Sequence, residues 1–284
     1  MKKNPIIILG MHRSGTTLLA NVFEDLGIFM GKKKEQNSEP IFFLRINNWL
    51  LRQANAFWDN PYNYTFLDEK EREILVEITK KYLKSLRRLE YFGYEKGLKS
   101  FFDLDFFWGW KDPRNSFTLD VWYKIFPNAK LVHIYRNPVD VANSLRTREI
   151  KRRKRFKLNW KKEVDILYRN KNLGYGNSVR VLNLAEGVKL WKEYTERIFY
   201  LEQKYHLNIL HIKYEDFLER PLEILNKILP ELDIDIEDSK LKEIIKNINP
   251  DRKYAFIKNE ELVELYNKIK DDELLSKLGY DKIL

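Results

Sequence analysis

A short β-branched run, Ile6-Ile7-Ile8-Leu9, stops at Gly10, and from Thr16 to Leu26 apolar residues recur at helical spacing. Between them lies Met11-His12-Arg13-Ser14-Gly15, so the chain opens as strand, glycine-bounded loop and helix. In that setting backbone N–H groups and a helix N-terminus hold phosphate. Gly10 and Gly15 are separated by four residues, as in the phosphate loop of nucleotide-hydrolysing enzymes, but Thr16 stands where those enzymes carry Lys. The cation lies inside the loop instead, as Arg13.

The rest of the chain repeats the alternation. Residues 106–110, 130–135 and 208–213 read as further buried strands, and residues 41–56, 68–90, 115–126, 138–148 and 178–204 read as helices. Asp68 and Glu71 have the spacing of a capping box. Everything after about Glu237 looks helical. Strands alternating with helices predict an α/β fold, a central parallel sheet flanked by helices on both faces, with a helical C-terminal part. No linker or repeat marks a boundary, so residues 1–284 are expected to form a single domain.

The absence of cysteine excludes disulfides and thiolate metal sites and fits a cytoplasmic protein. After Met1-Lys2-Lys3 the apolar run is too short for a signal peptide, and no stretch of about 18 apolar residues predicts a membrane span. His12, His133, His206 and His211 share no metal-binding spacing, so no metal is expected. The net charge of +10 favours anionic partners. Much of the excess lies between Lys151 and Lys162, where eight Lys and Arg occur without one acidic residue. That run reads equally as solvated surface or as a binding patch.

Gly10-Met11-His12-Arg13-Ser14-Gly15-Thr16-Thr17 resembles the 5′-phosphosulfate loop of sulfotransferases that use 3′-phosphoadenosine 5′-phosphosulfate (PAPS), in wording closest to the tyrosylprotein and bacterial branches. The resemblance implies a phosphate-loop-like sulfotransferase fold, with Arg13, Ser14, Gly15, Thr16 and Thr17 on the phosphosulfate. A second segment, residues 131–145, carries Arg136-Asn137-Pro138 at a strand end and Ser144 about two helical turns on. Such a pair can converge on one phosphate. It resembles the family's 3′-phosphate site, which implies that role for Arg136 and Ser144. Tyr214-Glu215-Asp216, at the end of the fourth strand, resembles a segment that puts Tyr214 near adenine. Lys111-Asp112-Pro113 resembles the tyrosylprotein sulfotransferases, which implies a catalytic Lys111.

Sulfuryl transfer is an in-line displacement in which negative charge grows on the leaving 5′-phosphate, by analogy with phosphoryl transfer. Arg13 and Lys111 are the cations suited to it. The acceptor needs a general base, for which Glu39 and His12 are the candidates. Gln36-Asn37-Ser38-Glu39-Pro40, followed by Phe42-Phe43, resembles the acceptor-side segment of bacterial sulfotransferases. The product would be 3′,5′-adenosine bisphosphate. The acceptor stays open among glycan, lipid, small phenol and peptide tyrosine; an acidic glycan or lipid-linked acceptor is compatible with the charge, which does not choose among anionic partners, and no specific nucleic acid is expected. Oligomeric state is also open. Two other readings stand beside this one. The first is a phosphate-loop kinase or NTPase, opposed by the missing Lys. The second is a non-catalytic polyanion binder using residues 151–162, where Phe156 and Trp160 are the only aromatics and two phosphate motifs would be idle.

Overall fold

The computed structural model describes residues 2–169, 175–246 and 248–284. Among them, four strands, β1 (Ile6–Leu9), β2 (Gly109–Lys111), β3 (Lys130–Tyr135) and β4 (Ile209–Lys213), run parallel in the order β2-β1-β3-β4. Helix α1 (Thr16–Asp25) follows β1, and α2 (Ile41–Arg52), α3 (Glu69–Leu83) and α4 (Leu89–Lys96) precede β2. Helix α5 (Asn115–Ile125) joins β2 to β3, and α6 (Pro138–Arg155), α7 (Trp160–Arg169) and α8 (Leu184–Tyr205) separate β3 from β4. Helices α9 (Tyr214–Glu219), α10 (Pro221–Ile228), α11 (Asp238–Ile245), α12 (Glu260–Ile269) and α13 (Glu273–Lys277) complete the chain. This is the α/β fold with a helical tail that the sequence predicts. The run of isoleucines in β1 reflects burial on both faces, as a central parallel strand requires. No helix among the described residues is long and apolar enough to cross a membrane.

Several boundaries differ from the sequence reading. The second strand starts at Gly109, because Trp108 instead bridges to Phe29. The helix expected over 68–90 breaks after Leu83, where the Ser85 hydroxyl bonds back to the Tyr82 carbonyl, and resumes at Leu89. Its predicted capping box is present. The helix beginning at Pro138 runs on to Arg155, its last turn filled by four cations that complement the helix dipole.

The chain divides into two compact units, Met1–Arg136 with Glu193–Ala255, and Asn137–Lys192 with Phe256–Leu284. In the first, Ile6 and Ile8 of β1, Phe23 of α1, Ile134 of β3, Ile212 of β4 and Phe217 of α9 share a buried core. An aromatic cluster holds β2: Phe43 stacks on Trp110 at 4.0 Å between centroids, and Trp110 meets Trp122 edge-on at 5.0 Å. In the second unit, Asn137 caps α6 by accepting from Val139 N and Asp140 N, and Asp140 accepts from Phe256 N. Buried Glu149 pairs with Arg153 and accepts from Asn177 N.

Within the first unit, His133 of β3 meets His211 of β4 with 2.9 Å between their Nδ1 atoms, and His211 Nε2 lies 3.1 Å from Glu202. Burial, then His211, hold the His133 imidazole well below its usual range. In the unfolded chain the same group takes a proton near its ordinary pKa of about 6.5. The unfolded state therefore binds more protons below that pH, and stability is full above it and falls as pH drops. Thermal melts from pH 7.5 down to 5 are expected to lose up to about 1.4 kcal/mol per pH unit from this group, a slope that His133→Leu removes. An unchanged slope in that variant would assign the acid limb to other groups.

Candidate active site

The loop between β1 and α1 has the conformation its glycines allow. Gly10 has φ 135°, and a Cβ there would lie 2.3 Å from the Ile134 carbonyl oxygen. Gly15, the N-cap of α1, has φ 96°, and its Cβ would fall 2.3 Å from the Tyr214 ring. Neither position accepts another residue without moving the sheet or that ring. Gly15 offers no side chain to cap α1, and no acid sits in the helix's first turn. The hydroxyl of fully buried Ser14 has no hydrogen-bond partner among the described residues. Gly10 N donates to Ser116 Oγ at 3.2 Å, which ties the loop to the start of α5. Such a cradle fits a phosphate-type anion.

Guanidinium groups gather beside it. Arg136 sits 4.8 Å from the centroid of the Tyr214 ring and donates to the Arg252 carbonyl at 3.1 Å. Arg13, whose backbone is left-handed at φ 73°, is held below the usual guanidinium range by partial burial first and then by Arg136 and Arg252. Three cations that raise one another's energy gain from an anion of more than one charge. Tyr214 is 4% exposed, packed on Gly15 with Arg136 over its ring. The buried ring thus backs the loop and the arginine. Ser144 lies half-buried on α6, in the second unit.

Deeper in the first unit, Lys111 at the end of β2 is fully buried, with Nζ 2.9 Å from Glu39 Oε1. The same ammonium donates to the Asn37 carbonyl, which also accepts from the Thr17 hydroxyl at 3.0 Å. Thr17 and Lys111 thus converge on one loop carbonyl next to α1, and Glu39 is paired to the same ammonium. Burial raises the Glu39 carboxyl above its usual range and Lys111 opposes that shift. Burial likewise lowers Lys111, and Glu39 opposes it. A buried network fixes the turn that follows. Asp112 pairs with Arg114 at 2.7 Å and accepts from Asn47 Nδ2 at 2.9 Å. Asn47 also donates to Asn115 Oδ1 and accepts from Thr118 Oγ1 and Trp122 Nε1, each at 2.8 Å.

His12 is buried in an aromatic frame, its ring edge-on to Trp58 at 4.9 Å and to Tyr194 at 6.2 Å, with the Tyr194 hydroxyl donating to the Trp58 carbonyl at 2.7 Å. Two members of the site have no counterpart in the sequence reading. Asn47 lies within an expected helix, and an asparagine close behind Phe42-Phe43 was its only signal. Arg252 lies in the tail, where Arg252-Lys253 beside Pro250 gave a cation pair without a strand end to place it.

A parallel sheet with a glycine-bounded loop at its first strand, flanked by convergent cations, gives the chain a phosphate-loop-like α/β architecture. Residues 5–238 match the family model described as "Sulfotransferase family", and the chain belongs to that family. It is accordingly an enzyme that transfers a sulfuryl group from a donor to an acceptor. No curated protein matches the chain in sequence. Solved structures similar to it include a sulfotransferase from Alicyclobacillus acidocaldarius, 17% identical with a TM-score of 0.48, covering 100% of this chain and 98% of that one. The sulfotransferase domain of the Synechococcus PCC 7002 olefin synthase is 17% identical, TM-score 0.48, with coverage of 95% and 96%. Sulfotransferase STF9 from Mycobacterium avium is 14% identical, TM-score 0.47, with coverage of 95% and 77%.

Proposed function

We propose that the donor is PAPS and that the reaction takes place where the loop, Lys111 and Glu39 meet. The observation that carries this reading is the convergence of Thr17 and Lys111 on the Asn37 carbonyl, with Glu39 paired to the same ammonium. PAPS supplies an activated sulfuryl group whose departure leaves negative charge on a 5′-phosphate. The loop amides, Ser14, Thr16 and Thr17 hold that end, and Arg13 and Lys111 neutralise the growing charge. Arg136 and Arg252 suit the 3′-phosphate, and the sequence resemblance implies a 3′-phosphate role for Ser144. Glu39 takes the proton of the acceptor hydroxyl or amine, and its raised pKa brings its basicity closer to neutral pH. His12, held among aromatics, positions the loop. The acceptor is anionic, of the acidic-glycan or lipid-linked kind, in keeping with the chain's net charge of +10.

Nucleotide choice tests this directly. At about 100 times its dissociation constant, 3′,5′-adenosine bisphosphate is expected to stabilise the protein by about 2.7 kcal/mol. AMP at the same concentration is expected to do much less, and Mg-ATP to give no comparable shift. Equal shifts from the bisphosphate and AMP would remove the role given to Arg136, Arg252 and Ser144.

A further inference from the structure

Helix α7 presents an apolar stripe to solvent. Trp160, Val164, Leu167 and Tyr168 recur at the spacing of one helix face, and they are 68%, 37%, 74% and 81% exposed. Leu158, just before the helix, is 54% exposed. A contiguous exposed stripe of this kind marks an interaction site. Leading into it, residues 151–162 carry eight cations and no carboxylate, and of these Lys151, Arg152, Lys154, Arg155, Lys157 and Lys161 are exposed. Arg153 is the member engaged by Glu149.

We infer that this segment docks the enzyme on an anionic membrane surface, with α7 lying in the plane of the headgroups. The two halves of the segment ask for two different environments. Aliphatic Val164, Leu167 and Leu158 have no use for a polysaccharide or a nucleic acid, whose surfaces are polar or offer only stacking. The cations have no use for a neutral apolar groove. A second copy of the chain fits poorly, because it would bring the same eight cations against these. An anionic bilayer supplies hydrocarbon for the stripe and headgroup charge for the cations. Trp160 and Tyr168 are the residue types that settle at the boundary between the two. Apolar burial and charge together give firm attachment where either alone is marginal.

The test uses the full chain with vesicles of equimolar phosphatidylcholine and phosphatidylglycerol, beside vesicles of phosphatidylcholine alone. The protein is expected to sediment with the anionic vesicles, not with the neutral ones, and to be released as salt is raised. Trp160→Ser with Leu167→Ser is expected to weaken partitioning at least about tenfold without altering the melting temperature or the binding of 3′,5′-adenosine bisphosphate. Changing Arg152, Arg155 and Lys157 to Gln is expected to weaken it by about 10²-fold, at about fivefold for each charge near the surface. Failure to sediment with the anionic vesicles, or sedimentation that neither set of changes alters, overturns the inference. So does a dimer in solution that Leu167→Ser dissolves, which gives the stripe to a second copy.

Discussion

Replacing Lys111 with Met is expected to slow sulfuryl transfer by roughly 10²- to 10³-fold, the loss usual when one preorganised charge-stabilising donor is removed. It also strands Glu39, which is 5% exposed, without the ammonium 2.9 Å away. Breaking a buried pair from one side costs about 3–5 kcal/mol, so the single variant mixes catalytic loss with instability. Lys111→Met combined with Glu39→Gln separates them. Removing both charges leaves no bare ion, so the double variant is expected to melt close to the parent while remaining inactive. Glu39→Gln alone is expected to lower kcat by about 10²- to 10⁴-fold and leave bisphosphate binding intact. The pH profile carries the sign. A general base works ionised, so activity falls as pH drops through the Glu39 pKa, and burial sets that limb above the ordinary carboxylate range. Lys111 must stay charged, and burial brings the upper limb below the ordinary ammonium range. A double variant that turns over at the parental rate sinks both roles. If Glu39→Gln keeps the lower limb and His12→Ala abolishes it, the base is His12.

What the sequence made legible was local. The isoleucines before Gly10, the Lys130–Tyr135 run and the Asp68 capping box each announce themselves within a few residues, because periodicity and capping act over one or two turns. Lys111 was readable as a strand-end lysine, but its pairing with Glu39 crosses 72 positions and depends on how the Asn37–Pro40 segment returns over β2. Asn47 shows the same limit. Its polarity argues for an exposed helix face, yet it is fully buried because Asp112, Asn115, Thr118 and Trp122 satisfy it there. Tyr214 was placed at the correct strand end, but only packing shows that Gly15 occupies the space against its ring. The division into two units left no trace in composition, because neither Arg136-Asn137 nor Lys192-Glu193 lies in a Pro-, Gly- or Ser-rich linker.

Arg13 yields the second large effect, and its backbone makes the outcome diagnostic. Both Arg13→Ala and Arg13→Gly remove the loop's cation, and both are expected to reduce turnover by about 10²- to 10³-fold. Stability is expected to part them. At φ 73° any residue with a Cβ is strained by about 1–2 kcal/mol relative to glycine. The greater freedom of glycine in the unfolded chain offsets roughly 0.5–1 kcal/mol of that. Arg13→Gly is therefore expected to melt no lower than Arg13→Ala. Either change also relieves Arg136 and Arg252 of a like charge, since partial burial and those two neighbours together hold Arg13 below its usual range. The added stability from 3′,5′-adenosine bisphosphate is expected to shrink in both variants. Melting curves with and without the bisphosphate, beside single-turnover rates, measure all of this on one set of samples. Parental turnover in either variant would show that the cation in the loop has no part in stabilising the leaving phosphate. A marked fall in the melting temperature of Arg13→Gly would show that the side chain, despite its strained backbone and like-charged neighbours, holds the loop in place.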